Sequence, residues 1–86
     1  MISKILFRCD ADEKNGFGHF SRCLNIARAV RKQSDSYITF FGNYNEFASN
    51  LIHKYQMHQI NASLALIGNP HYQFKLAKEY DYFILD

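Results

Sequence analysis

Apolar residues in this chain fall into two alternating rhythms. Ile5, Leu6 and Phe7 are consecutive within residues 4–8, and an apolar run without alternation suits a parallel strand covered on both faces. A polar stretch, residues 9–18, follows. Phe20, Cys23, Leu24, Ala27 and Val30 then recur at helical spacing, predicting a helix from about His19 to Gln33 with one apolar stripe. Arg28, Arg31 and Lys32 fall near its carboxyl end, where cations suit the helix dipole, and Ser34-Asp35 breaks it. Residues 37–41 are β-branched or aromatic and predict a second strand, closed by the turn residues Gly42-Asn43-Tyr44-Asn45. Asn45 is placed to cap a helix over residues 46–55 that turns Phe47, Leu51 and Ile52 inward.

Residues 57–60 predict a third, weaker strand. Residues 64–67 are ambiguous between a strand and a helical turn, and read best as a loop or a short helical turn. Asn69-Pro70 is a cap followed by proline at the first helical position, predicting a helix to Glu79. Residues 82–85 are a fourth strand. The order β-α-β-α-β-α-β predicts an α/β fold: a parallel sheet of about four strands with helices on its faces. The chain opens almost directly on a strand and stops at Asp86, at the carboxyl end of another. Ligands of open parallel sheets sit at that edge, so the expectation is a single, incomplete amino-terminal domain spanning residues 1–86.

Composition narrows the function classes. Eighty-six residues are 48% hydrophobic and 21% charged, which is globular rather than disordered. A chain of this size buries roughly 60–65% of the surface its unfolded form exposes. The net charge of +2 is spread without a run of like charges, so neither nucleic acid nor an anionic membrane is an expected partner. No apolar run reaches the ~18 residues of a membrane span, and the first ten residues do not resemble a signal peptide. Cys9 and Cys23 form neither a disulfide framework nor a common metal pattern. A reduced, cytoplasmic setting is expected.

The connection between the first strand and the first helix carries the candidate chemistry. It is longer than the usual two to six residues of a βα loop. Gly16 and Gly18 allow unusual backbone angles and close approach to a ligand, and the helix start offers N–H groups to an anion. The third glycine of the dinucleotide fingerprint is missing, and no Gly-Lys-Ser/Thr follows. His19 opens the helix, where the dipole favours an uncharged imidazole, the form a general base needs. A histidine that merely caps the helix is an equally good reading of placement alone. Arg22 lies one turn on, on the same side. A cation in a first turn opposes the dipole, so a carboxylate (Asp10 or Asp12) or a bound anion is expected beside it. Arg8 and Asp10 share a strand face and are expected to pair and hold the loop.

At these residues the chain resembles a known family. Arg8-x-Asp10 followed by Gly16-x-Gly18-His19-x-x-Arg22-Cys23 is similar to the amino-terminal signature of the UDP-sugar hydrolases of pseudaminic acid biosynthesis. It also resembles related spore-coat polysaccharide proteins and the glycosyltransferase-B group, including the lipid-linked N-acetylglucosaminyltransferase of peptidoglycan synthesis. The ending Tyr82-Phe83-Ile84-Leu85-Asp86 is similar to a hydrolase strand that leads into an active-site loop. The resemblance spans the chain in order, but its specific part is residues 8–23.

The resemblance implies an enzyme of two facing Rossmann-like halves, of which this chain is the first. Its substrate would be UDP-2,4-diacetamido-2,4,6-trideoxy-β-L-altropyranose: water attacks the anomeric carbon and UDP leaves. It maps the histidine that acts on the attacking water onto His19, and the pocket glycines onto Gly16 and Gly18. Arg22 and Lys14 are the loop-side cations for the leaving group, Asp10 and Asp86 are further candidate substrate contacts, and no metal or organic cofactor is implied. Uridine would bind mostly to the second half.

Two other readings stay open: the acceptor-binding half of a related glycosyltransferase, and a non-catalytic α/β module that self-associates through an unpaired edge or uncovered face. His53, His58 and His71 show no ligand spacing. Cys23 fits the helix's apolar stripe, Cys9 could line a pocket, and the Phe and Tyr positions fit core spacing.

Overall fold

The computed structural model describes residues 2–11, 16–61 and 69–85. Their elements, in order, are β1 (Ser3–Arg8), α1 (Gly18–Gln33), β2 (Ser36–Gly42), α2 (Glu46–Lys54), β3 (His58–Asn61), α3 (Pro70–Ala77) and β4 (Tyr82–Leu85). The four strands form one parallel sheet in the order β3-β2-β1-β4. This is the expected α/β, Rossmann-like arrangement. The chain steps from β1 to β2 to β3 in one direction, then crosses back to place β4 on the other side of β1. The strand order therefore reverses beside β1, and a crevice at the carboxyl ends of β1 and β4 is where such sheets bind ligands.

Strand periodicity divides the core in two. Ile5 and Phe7 of β1 pair in register with Ile38 and Phe40 of β2. These face one side, where Phe20, Cys23, Leu24 and Ala27 of α1 and Ala48 and Ile52 of α2 cover them. Phe7 and Phe40 stack with ring centroids 5.3 Å apart. The alternate residues Leu6 and Phe41 face the other side, packed with Leu76 and Tyr72 of α3 and with Ile60, Tyr80 and Phe83. Thr39, also on that side, is 2% exposed, and its hydroxyl accepts a hydrogen bond from Tyr80 Oη at 3.2 Å. Helices on both faces explain why β1 is an unbroken apolar run.

Both predicted caps are made. Asn45 Oδ1 accepts from Ala48 N at 3.0 Å, and Asn69 Oδ1 accepts from His71 N and Tyr72 N at 3.0 and 3.2 Å. The basic end of α1 has a specific partner: Arg31 Nη1 donates to the carbonyl of Tyr55, the residue that ends α2, and the Arg28 guanidinium lies 4.4 Å from the Tyr55 ring centroid. One carbonyl at the end of α2 is thus met from the neighbouring helix.

The sequence expectation fails at Phe47. It is 61% exposed, while Ala48 and Ile52 are the buried residues of α2. The helix is rotated so that its small alanine, rather than the ring beside it, meets the sheet. Smaller departures lie at element ends: β3 starts at His58, with Met57 buried just before it, and α3 ends at Ala77. Residues 64–67 lie outside the described residues.

Candidate active site

The carboxyl end of β1 is held by an ion pair. Arg8 Nη1 and Nη2 donate to Asp10 Oδ1 and Oδ2 at 2.9 and 3.3 Å. The side chains are only 16% and 20% exposed, so this expected pair is shielded from solvent on most sides. Asp10 Oδ1 also accepts the backbone N–H of Asn43, just past β2, at 2.9 Å. Two backbone bonds continue the ladder beyond the strands: Ala11 N donates to Asn43 O, and Asn45 N donates to Ala11 O, each at 2.9 Å. Asp10 therefore stitches the start of the long loop to the end of β2.

Gly42 makes this stitch possible. A Cβ on Gly42 would collide with the Cys9 carbonyl oxygen and lie 2.9 Å from Asp10 Oδ1. The sequence marked Gly42 only as a turn residue. Its need for close backbone approach is a contact across strands, which no local signal carries.

The loop re-enters the described residues at Gly16, whose φ of +73° lies in the left-handed region that favours glycine. Gly18 differs from expectation. It is the first residue of α1, has no positive φ, and a Cβ there would meet open space. Its backbone freedom is not used, and what it contributes is an uncrowded helix start. Phe17 is the N-cap residue and makes no side-chain cap bond.

His19 and Arg22 are both exposed in the first turn and a half of α1. Arg22 Nη2 lies 3.2 Å from His19 Nδ1, the contact that i,i+3 spacing allows. The carboxylate expected beside Arg22 is not Asp10, which is taken by Arg8 and Asn43. Asp12, Lys14 and Asp86 lie outside the described residues. Among the described residues, the predicted set forms the contacts Arg8–Asp10–Asn43 at the strand ends and His19–Arg22 at the helix start.

Beneath the loop the core is sealed. Cys9 and Cys23 are each 1% exposed, so Cys9 does not line a pocket. The Cys23 thiol, hydrogen-bonded to it, and burial push the Cys9 thiol well above its ordinary value. Cys9 Sγ also lies 3.8 Å from Tyr44 Oη. Burial, then the neighbouring Cys9, raise the Tyr44 phenol. Protonated thiols in an apolar site are packing groups, not nucleophiles.

Sequence reasoning missed an aromatic pair beside the candidate histidine. Phe17 and Phe47 meet edge to face at 5.4 Å and are 38% and 61% exposed, so they do not belong to the core. They join the starts of α1 and α2 and give the loop an apolar rim. A groove of about 480 Å³ lined by His53, Gln56, Met57, His58 and Gln59 lies at the amino end of β3. That is the wrong edge of the sheet for the loop chemistry. His58 there stacks on Tyr37 at 4.1 Å. Among the described residues no three His, Cys, Asp or Glu side chains are grouped to hold a metal ion, and no helix is long and apolar enough to cross a membrane. No family model, no curated protein and no solved structure matches the chain.

Proposed function

We propose that the chain is the amino-terminal, histidine-bearing half of a UDP-sugar hydrolase, releasing UDP from a UDP-diacetamido-trideoxyhexose in nonulosonic (pseudaminic) acid biosynthesis. The observation that carries this reading is the placement of His19. It is an exposed imidazole in the first turn of the first crossover helix, reached through a left-handed Gly16, at the sheet edge where ligands of parallel α/β folds sit. The motif resemblance supplies the substrate class.

Hydrolysis of a sugar diphosphate needs little covalent chemistry from the protein. It needs the anomeric carbon and a water in line, and donors for the charge that builds on the leaving diphosphate. A helix start carries backbone N–H groups that no turn of the helix itself uses, and His19 adds a polar side chain beside them. In this reading the Arg8–Asp10 pair is a brace that fixes where the loop leaves the sheet, and a second Rossmann-like half supplies most of the uridine pocket.

The test is UDP release from UDP-sugars by the product of the full reading frame, with and without His19→Asn. The expected result is loss of most turnover with UDP binding nearly intact. Near-normal turnover in the variant would remove His19 from the chemistry.

A further inference from the structure

We infer that Phe17 and Phe47 form an apolar platform at the edge of the candidate site, against which the methyl-bearing groups of the sugar bind. The inference rests on the hydrolase reading above and adds to it residues that hold the sugar.

The two rings meet edge to face with centroids 5.4 Å apart, yet Phe17 stays 38% and Phe47 61% exposed. Neither residue belongs to either core cluster. Local folding preference does not explain them either. Phe17 holds the N-cap of α1, a position that favours Ser, Thr, Asp or Asn, and a phenyl ring has no atom with which to cap. The other two described helices carry an asparagine there, and each asparagine accepts from backbone N–H groups. Phe47 stands in the first turn of α2 beside Ala48, which takes the place in the core. Residues that break a local rule without serving the core are the kind expected at a functional site.

Position and chemistry supply the occupant. Helices α1 and α2 each start after the carboxyl end of a strand, so the pair lies at the sheet edge where ligands of parallel α/β folds sit. Phe17 stands between the left-handed Gly16 and Gly18, two residues before His19. In the hydrolase reading the diphosphate lies at the start of α1, and the sugar, bonded to it, lies within a few bonds of the same helix start. A phenyl ring offers apolar contact and no hydrogen bond, so a hydroxyl covered by it is left without a partner, at a cost in free energy. A methyl group covered by it gains instead. The proposed sugar suits such a surface: it carries a methyl group on each of its two acetamido substituents and a third at C6, where common hexoses have hydroxyls.

Steady-state UDP release by the product of the full reading frame tests the platform, with UDP itself as a competitive inhibitor that carries no sugar. Phe47→Ser is expected to lower kcat/KM for UDP-2,4-diacetamido-2,4,6-trideoxy-β-L-altropyranose roughly five- to tenfold, the scale of uncovering one or two methyl groups. The inhibition constant of UDP is expected to stay the same. Phe47→Leu, which keeps an apolar surface, is expected to recover most of the loss. The exposure of Phe47 lets both variants fold, and their melting temperatures check that they do. An unchanged kcat/KM in Phe47→Ser would overturn the inference and leave the hydrolase reading standing. An inhibition constant for UDP that rises in step with the loss would also overturn it, because the rings would then be packing that supports the diphosphate site. A wild-type protein that releases no UDP would remove the hydrolase reading and this inference with it.

Discussion

Gly42 passes the Cys9 carbonyl with no room for a side chain between them, and any Cβ there would also press on Asp10. Strand β2 ends at this point and the long loop from β1 begins, so two backbones and one carboxylate share a single glycine-sized space. Substituting Gly42 by Ala forces one of them to move. The expected loss of stability is about 1–3 kcal/mol, the usual cost of overpacking, measured by urea denaturation. A Gly42→Ala protein as stable as the parent would mean that the strand ends are not this close.

Asp10 is expected to matter more for folding than an ordinary surface carboxylate. It accepts from both terminal nitrogens of Arg8 and from the Asn43 backbone. Asp10→Ala leaves a mostly shielded guanidinium and a backbone N–H without that partner, with an expected cost of about 1–3 kcal/mol. Asp10→Asn, which can still accept from Asn43, is expected to fall in between. Denaturation midpoints of the two variants check the order.

Alkaline pH is expected to destabilise the fold. Cys9 and Tyr44 have their proton-binding raised in the folded state, Cys9 by its bond to Cys23 and by burial, Tyr44 by burial and by Cys9. In the unfolded chain these groups ionise near their ordinary values of 9.0 and 10.0. Above those values the unfolded chain has released protons that the native state still holds. Stability is therefore fully present below about pH 9 and declines as pH rises, at up to about 1.4 kcal/mol per pH unit for each group. Tyr44→Phe is expected to flatten the part of the decline above pH 10. A melting temperature that is level from pH 8 to about 10.5 would contradict this.

The helix caps give a local prediction. Asn45→Ala removes the bond to Ala48 N and is expected to cost about 1 kcal/mol. Phe47→Ser, two residues on, is expected to cost only about 0.5 kcal/mol, the low end for an aromatic pair, because the ring meets Phe17 but is largely exposed. The sequence pattern alone ranks these two the other way round.

That reversal marks the border between what was legible in the chain and what was not. Local chemistry by itself determined the element order, both asparagine caps, the unbroken apolar run of β1 and the Arg8–Asp10 pairing. Each depends on neighbours a few residues apart, whose spacing is set by helical or strand periodicity. The tertiary structure decided the rest. It set the rotation of α2 that exposes Phe47 and joins it to Phe17, and the burial of Cys9 against Cys23 and Tyr44. It also brought Gly42 against Cys9 and gave Asp10 the Asn43 N–H as a further partner. These contacts join residues 14 to 35 positions apart or depend on how closely a helix sits on the sheet. Close packing of the whole core settles such distances, and no window of sequence contains them.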